Sequence, residues 1–183
     1  MKRSIRFGGL LVAAIVTAVA GALAPHVAHA GPPEPVVPGG IEVTDGSKVF
    51  LVGHAVGVQT YSCNATPTGY SWAFVAPRAN LYDDNGKLVV THFAGPTWQA
   101  KDGSHAVGQV VNRVTVDPTA IPWLLLSAAS PAAGADGDRL AHTTDIQRIA
   151  TAGGLPPAAA ECNAGTAGAT EEVPYTADYY FWK

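Results

Sequence analysis

The stretch richest in side chains able to do chemistry is Thr91-His92-Phe93-Ala94-Gly95-Pro96-Thr97-Trp98-Gln99, followed by Asp102-Gly103-Ser104. A His and a Trp bracketing Gly-Pro at a strand end is one way a shaped pocket is built on a loop. There His92 would act as a general base or ligand, and Trp98 as a flat apolar wall. The competing reading is a rigid β-turn in which Trp98 covers the core edge and His92 bonds a backbone carbonyl. Arg148, beside Gln147 on an alternating run, either anchors an anionic ligand or pairs with a carboxylate, and pairing is the more ordinary use of such an arginine.

Familiar catalytic and metal-binding patterns are missing. The chain has no G-x-S-x-G, H-E-x-x-H or S-x-x-K, and no G-x-G-x-x-G or Walker loop for a nucleotide. Ser104-His105 with scattered aspartates is an inventory that almost any chain supplies. Asp83 and Asp84 fall in a turn signal, where solvated acids are the rule, and not in a pair placed for glycoside hydrolysis. His54, His92, His105 and His142 lack the short spacings of a zinc or copper site, so only a fold that gathers distant histidines would make one. The residues imply neither a metal nor a cofactor.

Aromatic residues offer another route, because Trp and Tyr rings stack on sugars and on aromatic polymers. Trp123 sits among leucines and Trp72 beside Phe74 and Val75, which makes both core candidates. Trp98 and the Tyr179–Trp182 cluster are the candidates for exposure.

The elements that must position these residues are short apolar runs divided by turn residues. Lys48–Val52 and Val56–Ser62 read as strands around Gly53-His54, and Ser71–Val75 as one that stops at Pro77. Ala79–Tyr82 and Lys87–Phe93 flank Asp83-Asp84-Asn85-Gly86 as a hairpin. Thr97–Lys101 and His105–Val116, the latter broken at Gly108, flank Asp102-Gly103. Pro122–Ala128 is an apolar run too short for a typical helix and fits a buried strand. His142–Thr151 alternates, with Thr144, Ile146, Arg148 and Ala150 on one face. Val173–Trp182 closes the chain, and Ser130–Asp138 and Gly153–Gly168 are Gly/Ala/Pro-rich loops with room for a helical turn. The strands recur about every ten residues without a long 3.6-residue period, which predicts an all-β sandwich or barrel of short antiparallel strands.

The first thirty residues read as a cleaved signal peptide. Lys2, Arg3 and Arg6 precede an apolar stretch from Gly8 to Ala24, and Ala28-His29-Ala30 gives the small-x-small cleavage pattern. The apolar stretch is shorter and richer in Ala and Gly than a bilayer span requires. Residues 31–40, GPPEPVVPGG, form an extended arm, and 41–183 a single β domain. Cleavage removes three of the eleven basic residues and none of the fourteen acidic ones, leaving a net charge of −6. That balance argues against nucleic acid and against docking on anionic lipid. No further run is apolar and long enough for stable membrane insertion. Cys63 and Cys162 lie outside C-x-x-C and nucleophile signatures; two cysteines in an exported chain are expected to pair. Asn64-Ala65-Thr66 is a formal glycosylation acceptor.

Several of these stretches occur together in one family. Gly57-Val58-Gln59-Thr60-Tyr61-Ser62-Cys63, Trp72-Ala73-Phe74-Val75-Ala76-Pro77, the run from Thr91 to Trp98 and Asp102-Gly103-Ser104 are four of them. Ala120-Ile121-Pro122-Trp123 with its three leucines, Ile146-Gln147-Arg148 with Gly153-Gly154, and Val173-Pro174-Tyr175 through Tyr180 continue the match. The chain resembles the domain of unknown function 3455 family, secreted by bacteria and fungi. The resemblance implies an exported single domain, draws attention to Gln59, Tyr61, His92, Trp98, Asp102 and Arg148, and supplies no catalytic roles. Some fungal relatives carry the label malate dehydrogenase, which a chain with no dinucleotide fingerprint and no alternating βα pattern does not fit. The favoured expectation is a secreted, non-enzymatic binding or surface-associated module that recognises carbohydrate or a cell-wall polymer through Trp98. One alternative is an extracytoplasmic, metal-assisted enzyme using His92. The other is a barrel enclosing a small apolar ligand.

Overall fold

A computed structural model of the chain describes residues 31–183, and the expected signal peptide, residues 1–30, lies outside them. Among the described residues eight antiparallel strands follow one another round a closed barrel. They are β1 (Val49–Thr66), β2 (Gly69–Tyr82), β3 (Leu88–Phe93), β4 (Thr97–Ala100), β5 (His105–Val114), β6 (Trp123–Ala128), β7 (Asp145–Gly153) and β8 (Thr170–Trp182). Each strand pairs with the next, and β8 closes on β1 along a register from Val49↔Trp182 to Ser62↔Thr170. Of the two all-β architectures open to the sequence, the barrel is the one formed, and closure pairs every strand on both sides, although β2 runs past the end of β3 from Gly69 to Arg78.

Strand alternation fills the interior. Leu51 and Ala55 of β1, Ala79 and Leu81 of β2, Val90 of β3, Ala100 and Trp98 of β4, Ala106 of β5, Leu126 of β6, Ile146 of β7 and Tyr179 and Phe181 of β8 belong to one buried cluster. The segment before β1 covers the wall from outside. Ile41 is fully buried, its carbonyl accepts a 2.6 Å bond from Gln147 Nε2, and Trp182 Nε1 donates to Gln147 Oε1 at 3.0 Å. Glu34 of the arm pairs with Lys48 at 2.9 Å. Cys63 of β1 and Cys162, beside the 3₁₀ turn Ala159–Glu161, form the disulfide, with Cα atoms 5.3 Å apart at a sequence separation of 99. That bond ties the long loop before β8 to the barrel. No helix of the described residues is long and apolar enough to cross a membrane.

The hairpin at Asp83–Gly86 forms as expected, with Gly86 at φ 74° completing the turn. Three expected breaks do not occur. Gly53-His54 does not divide β1, because Gly53 gives room for the Leu81 side chain: a Cβ there would meet it at 2.9 Å. Pro77 does not end β2. The register with β1 shifts between Thr60 and Tyr61, leaving Val75 as the extra residue of a bulge, and Pro77 lies beyond the last β3 pair at Ala79, where β2 has only β1 beside it and a strand tolerates proline. Gly108 does not break β5 either; a Cβ there would lie 2.9 Å from Trp98 Cζ3, so the glycine lets the indole lie across the strand. The apolar run of β6 is fully buried only at Leu126, since its other side chains alternate onto the outer wall or toward an open end.

Candidate functional site

Antiparallel register gathers side chains far apart in sequence at one end of the barrel. His92 of β3 pairs with Ala79 on one side and Trp98 on the other, and a tight turn at Ala94–Pro96 joins β3 to β4. Arg148 of β7 pairs with Leu124 and Tyr179 and faces inward with them. Gln59 of β1 lies opposite Pro77 and Val173. These strands surround an open cavity of about 300 Å³, lined by Gln59, Phe74, Val75, Pro77, His92, Gly95, Pro96, Trp98, Val110, Leu124, Leu126, Arg148 and Tyr179. The wall is mostly apolar, with Phe74, Val75 and Val110 exposed at the rim.

The deep wall is an aromatic stack. The Trp98 and His92 rings lie parallel, with centroids 4.2 Å apart at 8°, and Tyr179 meets the edge of Trp98 at 5.5 Å. Trp98 is 1% exposed, so the expectation of a surface Trp98 is corrected: the β3–β4 turn folds the indole into the barrel. Tyr179, Phe181 and Trp182 are buried too, because the first two sit on the inner face of β8 and the third under the arm. The reverse holds at β2. Phe74 and Val75 are more than half exposed and Trp72 is only half-buried, donating to the Ala158 carbonyl at 3.2 Å; the bulge sets Phe74 opposite Tyr61 at the open rim of the cavity, where water reaches it. Trp123 is likewise half-buried, on the outer wall of β6.

His92 meets both sequence readings at once. Its Nδ1–H donates to the Thr97 carbonyl at 2.9 Å, as in a rigid turn, and its ring also lines the cavity. Burial, with a smaller push from the Arg148 charge, lowers its pKa to about 3 against the stabilising bond to Thr97. The ring is therefore neutral at pH 7, with Nε2 as its acceptor.

Arg148 has no carboxylate partner among the described residues, which corrects the ion-pair expectation. The strand alternation aims it into the lumen, where no acid lines the cavity. Its Nε and Nη2 both donate to the Pro122 carbonyl, at 3.2 and 2.8 Å. Gln59 is 3% exposed, and its Nε2 has no hydrogen-bond partner; the same is true of Trp98 Nε1. The hydroxyls of Tyr175 and Tyr179 lie 3.3 Å apart beside Gln59 and Arg148, and burial raises both pKa values, so they stay protonated.

Two candidates stand elsewhere. The Tyr61 hydroxyl donates to the Gly154 carbonyl at 2.7 Å and its ring packs edge-on against Phe74, which makes it a support for the rim. Asp102 lies at the far end of β4. It accepts from Ser104 N and Oγ and from Arg139 N, and these bonds hold its carboxyl below the ordinary range while pinning the 134–139 loop. It does not reach the cavity. Sequence reasoning missed Phe74, Val75, Pro77, Val110, Leu124 and Leu126 as lining residues. One signal was present: Ile146 and Arg148 share a face, and Ile146 has to be buried.

No three His, Cys, Asp or Glu side chains gather into a metal-ligand set among the described residues. No curated protein and no solved structure matches the chain. Residues 44–183 match the family described as protein of unknown function (DUF3455). That span covers most of the chain, and the chain belongs to this family.

Proposed function

We propose that the protein is a non-enzymatic binding module that holds a small, largely apolar molecule in the open end of its barrel. The observation that carries this reading is the cavity of about 300 Å³ whose apolar walls also contain buried, unpartnered donors. An apolar pocket with a few convergent polar groups is the usual form of a small-ligand site. Eight-stranded barrels are wide enough to hold one such ligand. A sugar-stacking platform loses the exposed Trp98 it depends on. An enzyme relying on His92 has a base with a pKa of about 3, a poor proton acceptor near neutral pH. The disulfide supports an exported protein, since such bonds persist in oxidising compartments.

The test is titration with N-phenyl-1-naphthylamine, a neutral fluorophore that brightens in apolar surroundings, beside decanoate followed by calorimetry. Saturable binding at one site is expected, and Leu124→Trp, which fills the cavity, should abolish it. No saturable binding of either probe, or binding that survives the filled cavity, overturns the reading.

A further inference from the structure

We propose that the ligand is an amphipathic carboxylate that enters the barrel acid end first, its charge on Arg148 and its apolar body against Leu124, Val110 and Phe74. This rests on the binding reading above and names its ligand class.

The argument is one of unmet hydrogen bonding. An arginine carries five N–H donors. Two of those of Arg148 converge on the single carbonyl of Pro122, and no carboxylate of the described residues lies within ion-pair distance. Arg148 is also the only formally charged residue lining the cavity. Two neighbours in that lining, Gln59 and Trp98, each bury a donor that finds no acceptor. Leaving a buried donor unmade costs about 1–3 kcal/mol, so two orphans beside one uncompensated cation form an arrangement that a bound acceptor would relieve. His92 and the two tyrosines supply no anion, because burial keeps all three neutral.

The form of the acceptor follows from what surrounds it. One planar guanidinium matches one planar carboxylate, with two parallel N–H···O bonds. A free inorganic anion would leave the apolar wall of Phe74, Val75, Val110 and Leu124 facing water. A sugar would bring hydroxyls to a wall with few partners for them. The volume is roughly twice that of a cavity known to hold one benzene, enough for a two-ring aromatic acid or a medium-length alkyl acid. The exposed apolar rim lets the tail of a longer chain emerge.

The experiment compares head groups on a constant body, using the folded wild-type protein. Decanoate, decanol and decylamine make one set; 2-naphthoate and 2-naphthalenemethanol make the other, separating an alkyl from an aromatic source. In at least one set the carboxylate should bind roughly tenfold or more tightly than its alcohol, the gain expected of a charge-assisted hydrogen bond. Arg148→Leu should remove that preference while leaving decanol binding in place. If Arg148→Leu does not fold, Gln59→Leu, which leaves the guanidinium untouched, should still weaken the carboxylate and spare the alcohol. Equal affinity for acid and alcohol in both sets, or tighter binding of decylamine, overturns the carboxylate inference and leaves the barrel reading standing. Absence of binding by every compound overturns the barrel reading itself.

Discussion

Protonation of His92 should make the protein acid-labile, by an amount the structure sets. The ring is 3% exposed, stacked on Trp98, and faced by Arg148 of β7 and Tyr179 of β8. Its pKa falls from 6.5 in the unfolded chain to about 3 in the barrel. A depressed histidine pKa means that the unfolded state binds the proton first. Stability from this group is therefore complete above pH 6.5 and drains away as pH falls toward 3. Each unit of separation corresponds to about 1.4 kcal/mol, so the loss is about 2 kcal/mol at pH 5 and would approach 5 kcal/mol over the whole window. The assay is urea unfolding of wild type and His92→Phe at about pH 7, 6 and 5. Phenylalanine keeps the stacking and loses the bond to Thr97, a constant offset. Other titrating groups act on both proteins and cancel in the difference. The variant should gain about 2 kcal/mol relative to wild type between pH 7 and pH 5. A gap that stays constant within about 0.5 kcal/mol would show that His92 takes up a proton in the folded barrel as readily as in the unfolded chain, which refutes the depressed pKa.

Three further outcomes are expected. Gln59→Leu removes a buried donor with no partner and should raise the stability of the empty protein by about 1 kcal/mol in denaturant melts, even as it weakens carboxylate binding. Replacing Cys63 and Cys162 together by alanine frees a loop of about 100 residues and should cost up to about 4–5 kcal/mol, read as a fall in unfolding midpoint that reducing agent reproduces in wild type. His54, bonded to Asp178 at 2.7 Å and to Asp84 at 2.9 Å, has a raised pKa, first through Asp178 and then through Asp84. Its contribution is present below pH 6.5 and lost as pH climbs through the raised value; because the ring is half-exposed, His54→Gln should flatten the alkaline side of the stability profile by no more than about 1 kcal/mol.

The all-β class was legible in the chain because its short period-2 runs and turn signals are local, whereas barrel against sandwich rests on the long-range pairing of β8 with β1. The hairpin at Asp83–Gly86 needed only a turn sequence between two alternating runs. The position of the disulfide partners required only a compartment and a count. What local pattern does not carry is inside against outside. Trp98 and Phe74 are both aromatic residues in short strands, yet one is buried and the other exposed. The difference lies in position along the lumen: Trp98 pairs with His92 and Ala106 inside the barrel, whereas the β2 bulge at Val75 sets Phe74 opposite Tyr61 at the open rim. A one-residue bulge reverses which face a side chain occupies, and its position depends on the partner strand. Asp102 drew attention because it follows a suggestive run, but the four residues of β4 carry it to the opposite end of the barrel from the cavity.

The two ends of the lumen are built on different rules. Toward one end Leu51, Leu81, Val90, Ile146 and Phe181 fill the barrel with apolar side chains, and each rung agrees with simple alternation. Toward the other end the inward positions go to Gln59, His92, Arg148 and Tyr179, against glycine at Gly108 and proline at Pro77 and Pro96. Leucine or valine at Gln59 and Arg148 would close the barrel and remove two sets of demanding donors. A chain shaped for stability alone has every reason to use them, since burying polar groups without partners is costly. Departures from local consistency tend to mark functional sites. Here they share one cavity and one sign of charge, and its two orphaned groups, Gln59 Nε2 and Trp98 Nε1, are both donors. A purely structural role would scatter such departures or satisfy them internally, as Gln147 is satisfied by Ile41 and Trp182 on the outer wall. Two glutamines on the same barrel are thus treated oppositely, and the unsatisfied one faces the open mouth.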